Sequence, residues 1–179
     1  MKRCIIHIGA HKTGSTSIQY SLDGFADDRL VYAKFDDPNH SLAMYSLFSP
    51  HPEKHPMHRA NATSGAKLSD YVSRRSKDLE RAISTANGRT LVISGEDISI
   101  LPEQGLIRIR DFFMQRFDDV RIVGYVRPPA ALIASAFQER VKAGAVQLGL
   151  DREHLNYQKR FEKFDKVFGR ANVMLCKFD

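Results

Sequence analysis

The stretch Ile5-Ile6-His7-Ile8-Gly9-Ala10-His11-Lys12-Thr13-Gly14-Ser15-Thr16-Ser17-Ile18-Gln19 decides how the chain is read. Its apolar opening is a buried strand, Gly9 permits a tight turn, and the hydroxyl residues that follow open a helix. Backbone N–H groups at a helix start lack intrahelical partners, so such a turn suits phosphate-like anions, and the helix dipole favours them further. Lys12 adds a full positive charge, and Thr13, Ser15, Thr16 and Ser17 add hydroxyl donors.

The spacing resembles the nucleotide-triphosphate loop G-x-x-x-x-G-K-[ST]: Gly9 and Gly14 are in register and Thr16 falls on the hydroxyl position. The lysine is displaced. Position 15 is Ser, and Lys12 precedes Gly14. Ser15 and Thr16 have a plainer alternative role as helix caps.

Outward from this turn, apolar runs of strand length alternate with longer segments of helical period, the pattern of a parallel sheet covered by helices. Strands are expected near residues 3–8, 29–34, 90–94, 120–126 and 172–177. Helices are expected near 14–24, 40–48, 66–86, 103–117, 129–143 and 153–168. The fold class is α/β: a three-layer, P-loop-like fold with a central parallel sheet of about five strands flanked by helices. At 179 residues the chain has room for a sizeable core, and residues 1–179 read as one domain.

About a quarter of the residues are Leu, Ile, Val or Phe, which excludes intrinsic disorder, and no apolar stretch approaches the roughly 18 residues of a bilayer-spanning helix. The net charge of +6 favours anionic ligands. Its basic residues are scattered and no nucleic-acid-binding motif appears, so nucleic acid is not an expected partner. Cys4 and Cys176 lie near opposite ends inside apolar runs and read as buried thiols rather than a disulfide framework. With only Cys4-Ile5-Ile6 as an apolar run before His7, no signal peptide is expected, and the setting is expected to be cytoplasmic.

A second candidate anion site follows another strand. Val120-Arg121-Ile122-Val123-Gly124-Tyr125-Val126 leads into Arg127-Pro128-Pro129 and an apolar helix carrying Ser135. Arg127 falls at the carboxyl end of a strand, where open parallel sheets bind ligands, and Ser135 follows roughly two helical turns later. An arginine fork with a hydroxyl suits a phosphate. A pairing of Arg127 with a surface carboxylate is the alternative. Leu91-Val92-Ile93-Ser94-Gly95-Glu96-Asp97 is a third buried strand, ending in a small turn and two carboxylates. A general base belongs at such a strand end; pairing of Glu96 with Lys12, or simple solvation, are the alternatives, and Asp97 is also placed to cap the next turn.

His11-Lys12-Thr13-Gly14-Ser15-Thr16-Ser17 after a strand, together with Arg127 and Ser135 at that spacing, resembles the two cofactor motifs of sulfotransferases that use PAPS, 3′-phosphoadenosine 5′-phosphosulfate. Strand order and the segment Phe168-Gly169-Arg170-Ala171-Asn172-Val173 are similar to the carbohydrate-type and bacterial branch. The resemblance implies that the loop from His11 to Ser17 binds the 5′-phosphosulfate and that Lys12 acts at the transferring group. It also implies that Arg127 and Ser135 hold the 3′-phosphate and that Glu96 removes the acceptor's proton. PAPS is then the donor, no metal is expected, and the acceptor is a carbohydrate, glycolipid or small molecule. Relatives of this type continue beyond the strand that ends at Cys176-Lys177-Phe178-Asp179, so the chain is expected to lack the usual C-terminal portion. Two other readings stay open: a P-loop nucleotide kinase or NTPase, with Glu96 and Asp97 organising magnesium, and a nonenzymatic nucleotide- or anion-binding module.

The segment 49–65 carries Pro50, Pro52 and Pro56 and is expected to lack regular structure, as a lid or a connection. Its His51, His55 and His58 have a spacing that gathers a metal only on a helix; the prolines and the absence of a nearby Cys pair argue against zinc. Acceptor choice is expected to lie in loops near 35–65 and 140–155.

Overall fold

The computed structural model describes residues 1–9, 13–142, 144 and 157–178. Its sheet contains β1 (Arg3–His7), β2 (Leu30–Tyr32), β3 (Thr90–Ser94), β4 (Asp119–Val126) and β5 (Val173–Lys177), all parallel and ordered β2-β3-β1-β4-β5. Helices flank it: α1 (Ser15–Leu22), α2 (Ser41–Phe48), α3 (Pro56–Ala60), α4 (Gly65–Ala86), α5 (Glu103–Met114), α6 (Pro129–Lys142) and α7 (Tyr157–Phe168). After β1 the chain moves outward to one side, and after β4 to the other, so the crevice between these neighbours is the topological switch point at which such sheets bind ligands.

Strand side chains alternate between faces, so Cys4, Ile6 and Ile8 turn to one side together. They pack with Leu91 and Ile93 of β3, Val120 and Ile122 of β4, and the inner faces of α2, α4, α5 and α7, including Met44, Leu79, Phe113 and Phe164. Full burial of a ring such as Phe113 contributes about 2–3 kcal/mol. The other face is different at its carboxyl edge: the register pairs His7 with Ser94, and Gln19 of α1 reaches down to Ser94.

Most elements fall where periodicity places them. β2 is only three residues long, and α5 stops at Met114, although Phe117 beyond it is still buried. Residues 143 and 153–156, expected to be helical, lie outside the described residues. The segment 49–65 departs from expectation. It holds a 3-10 turn, Pro52–Lys54, and then α3. Pro52 and Pro56 each stand at the first helical position, where no N–H is needed, and His55 caps α3 by accepting the Met57 N–H. Cys4 is buried as expected, whereas Cys176 on the edge strand is only half-buried; both are free thiols. Among the described residues no helix is long and apolar enough to cross a membrane.

Candidate functional site

The turn after β1 is closed around Gly9. A Cβ there would stand 2.5 Å from Ser15 Oγ, 3.0 Å from Thr13 Oγ1 and 3.2 Å from His7 Nε2, so three polar side-chain atoms converge on a point that only glycine leaves open. Gly14 is the N-cap of α1 with φ 73°, in the left-handed region that favours glycine, and it brings no side chain to cap the helix. Ser15 and Thr16 are therefore not caps. Thr13 and Ser15 are buried and share a hydrogen bond of 3.3 Å, while Thr16 and Ser17 are exposed on the first turn of α1. His11 and Lys12 lie outside the described residues.

Arg127 stands directly after β4, half-buried, and Ser135 is half-buried on α6. One residue that the sequence reading passed over links this motif to the glycine turn. The Phe178 ring lies 5.5 Å from the Arg127 guanidinium, and its edge would be 3.0 Å from a Cβ at Gly14. Phe178 is placed there by its N–H, which donates to Val126 O. On the other side, the Tyr157 hydroxyl donates to the Arg127 carbonyl.

Glu96 and Asp97 open a 3-10 turn, Glu96–Ile100, beyond β3, and they divide their work. The Asp97 carboxylate accepts from His55 Nε2 at 3.0 Å, and its N–H donates to Ser41 Oγ at 3.3 Å. Because His55 Nδ1 accepts the Met57 N–H, Nε2 carries the proton given to Asp97. Arg160 of α7 donates to Ser99 Oγ through Nε at 3.0 Å and Nη2 at 2.7 Å, and Ser99 Oγ in turn donates to Glu96 O. Burial pushes the Arg160 guanidinium below its ordinary pKa, while Asp97 and Glu96 pull it back up. Lys163, one turn on, donates to Leu101 O and is pushed down to about 8, first by burial and then by Arg160.

His7, at the end of β1, sits between the two turns. Its Nδ1 is 2.7 Å from Ser94 Oγ, which also accepts from Gln19 Nε2 at 3.2 Å. Burial pushes the imidazole below its ordinary value, and the Glu96 charge acts in the opposite sense. His40 is fully enclosed, accepts the Ser94 N–H on Nδ1, and is pushed down to about 3 by burial, so it is neutral. The His55 and His58 rings meet edge-on at 6.0 Å, but the three histidines of the 49–65 segment serve separate polar partners: His55 donates to Asp97, His58 Nε2 meets Ser46 Oγ at 2.7 Å, and His51 stands beside Glu53.

A parallel sheet with a glycine-closed turn and helix start at its switch point, and an arginine after the neighbouring strand, defines a P-loop-like α/β protein. No protein-family model and no curated protein sequence matches the chain. Solved structures share its fold. One is a sulfotransferase from Alicyclobacillus acidocaldarius, with a TM-score of 0.60 and 15% identity over 99% of this chain and 74% of that one. Another is a sulfotransferase domain from the curacin biosynthetic pathway, with a TM-score of 0.50 and 13% identity over 99% of this chain and 68% of that one. At these identities the likeness is one of fold.

Proposed function

We propose that the chain is a PAPS-dependent sulfotransferase of the carbohydrate-type or bacterial kind, acting in a reducing, cytoplasmic setting. The observation that supports this reading is the Phe178 ring: it stands beside both the start of α1 and the arginine after β4, so the two candidate anion sites are neighbours. A nucleotide with phosphates at both ends of its ribose matches two such sites. The Gly9 cradle, the glycine N-cap of α1 and the half-buried Arg127 are a donor set that fits it.

In this reading the turn from His11 to Ser17 holds the 5′-phosphosulfate, and Arg127 with Ser135 holds the 3′-phosphate. Bound PAPS supplies a sulfonate on a phosphate leaving group, transferred directly and in line. Glu96 takes the proton of the attacking hydroxyl or amine of a carbohydrate, glycolipid or small-molecule acceptor. Lys12 and the amides of the turn stabilise charge that builds on the leaving phosphate. Asp97, held by His55, is a support for the turn rather than a second base. A nucleotide kinase reading is weaker because Ser15 is buried where that loop carries its lysine.

Calorimetry with adenosine 3′,5′-bisphosphate, against ATP with magnesium, tests the proposal. The bisphosphate is expected to bind in preference, and Arg127→Ala to weaken it far more than an analogue without the 3′-phosphate. Stronger, magnesium-dependent binding of ATP would turn the reading to a kinase or NTPase. Weak binding of both favours a nonenzymatic anion-binding module.

A further inference from the structure

His7 carries a feature that the proposed reaction does not use. The side chain is 6% exposed, and its Nε2 is buried without a hydrogen-bond partner among the described residues. Leaving such a group unsatisfied costs about 1–3 kcal/mol, so a buried imidazole at the centre of the sheet edge calls for a reason. Nε2 is turned toward the glycine turn, within 3.2 Å of the point at Gly9 that Ser15 Oγ approaches to 2.5 Å.

The other groups are compatible with one direction along this chain of contacts. The Gln19 amide donates to both Ser94 Oγ and Asn39 Oδ1. Ser94 Oγ still holds a lone pair and a proton for His7 Nδ1, and the tautomer in which it gives that proton to Nδ1 is the one that leaves Nε2 a donor. In that tautomer Nε2–H points at the turn as a donor that meets no acceptor among the described residues. Ser15 Oγ and Thr13 Oγ1 meanwhile bond one another at 3.3 Å. When an anion enters the turn and draws the Ser15 proton to itself, the freed lone pair of Ser15 Oγ faces His7.

We propose that His7 is a positioning residue of the anion turn: on anion binding Nε2–H donates to Ser15 Oγ, completing a one-way series of donors from Gln19 through Ser94, His7 and Ser15 to the anion. Each bond in such a series polarises the next, so the hydroxyl that meets the anion is a stronger donor than a lone serine. The proposal rests on the turn being an anion site. It does not depend on which anion is bound.

Two replacements separate the two ring nitrogens. His7→Asn keeps a polar atom near Nδ1 for Ser94 and removes Nε2; His7→Gln places an amide near Nε2. Calorimetry with inorganic sulfate, and separately with adenosine 3′,5′-bisphosphate, is expected to show about tenfold weaker binding for His7→Asn, the worth of one hydrogen bond to an anion-linked group. His7→Gln is expected to recover most of that loss. In Ser15→Ala the same His7→Asn change is expected to have almost no further effect, because the series is already cut. A purely structural role predicts losses that add and that follow the unfolding temperature. Additive losses, or wild-type binding by His7→Asn, overturn the proposal. Should His7→Asn fail to fold, Ser94→Ala, which removes the donor to Nδ1, is read in the same cycle with Ser15→Ala. Binding of sulfate but not bisphosphate by the wild type removes the sulfotransferase reading and leaves the His7–Ser15 coupling to be judged on sulfate. Binding of neither probe overturns both.

Discussion

Gly9 and Gly95 each leave a strand of the same sheet at the same edge, but what crowds them differs. A Cβ at Gly9 would collide with Ser15, Thr13 and His7, all within a few residues of it. A Cβ at Gly95 would stand 2.9 Å from the Ser41 nitrogen and 3.1 Å from the His40 carbonyl carbon, which is the backbone at the start of α2. The first turn is closed by its own side chains, and the second is clamped by distant chain. Around the Glu96 turn the supporting bonds come from Ser41, His55, Arg160 and Lys163, at sequence separations of 56, 42, 61 and 62. An anion turn needs backbone N–H groups in one local arrangement, which a short segment encodes by itself. A general base needs a position relative to a substrate held elsewhere, and only contacts across the fold set that.

The contrast is broken most sharply at Glu96. Glu96→Gln keeps size and removes the proposed proton acceptor, so turnover of labelled PAPS against a panel of sugars, glycolipids and phenols is expected to fall about 10²–10⁴-fold, with bisphosphate binding nearly unchanged. Turnover close to wild type would move the base to another group. Gly9→Ala should act in reverse. Its clash pushes Ser15 out of place, and bisphosphate binding measured by calorimetry is expected to weaken on the order of a hundredfold, or about 2.7 kcal/mol.

Gly95→Ala tests the clamp itself. The new methyl meets backbone that moves only with α2, so unfolding by denaturant is expected to show a loss of about 1–3 kcal/mol, with anion binding less affected than in Gly9→Ala. An equal loss of binding in both variants would mean that the two turns are one mechanical unit. Asp97→Asn should have a smaller effect: the His55 bond changes from charge-assisted to neutral, which lowers stability by about 1 kcal/mol and reduces turnover without changing bisphosphate affinity.

The last expected effect concerns pH and is absent above pH 6.5. His40 is held down to about 3 in the folded chain, against an ordinary 6.5. As pH falls below 6.5 the unfolded chain takes up the proton first, so this contribution to stability is complete above 6.5 and is lost progressively toward 3. Its slope is at most about 1.4 kcal/mol per pH unit. Denaturant unfolding from pH 7 to 4 is expected to be shallower in His40→Asn than in the wild type. Since Ser94 N–H donates to His40, the same acidification should loosen the β3 end of the site before the glycine turn.

The sequence by itself determined the strand, glycine turn and helix from Ile5 to Gln19, because each step depends on neighbours a few residues away: apolar alternation, a residue without Cβ, hydroxyls in register. It also placed Glu96 and Arg127 at strand ends, since a buried apolar run followed by a charged residue marks where a strand leaves the core. Segment 49–65 was harder to read, because Pro52 and Pro56 break a helix in its interior but start one at its first position, and which applies depends on where the chain docks. Only the tertiary structure decided that Asp97 accepts from His55, that the charges of Asp97 and Glu96 both act on Arg160 and that of Glu96 on His7, that His7 meets Ser94, and that Phe178 joins Gly14 to Arg127. Each of these pairs unites residues far apart in the chain. Local propensity carries no information about such partners; strand order and register bring them together.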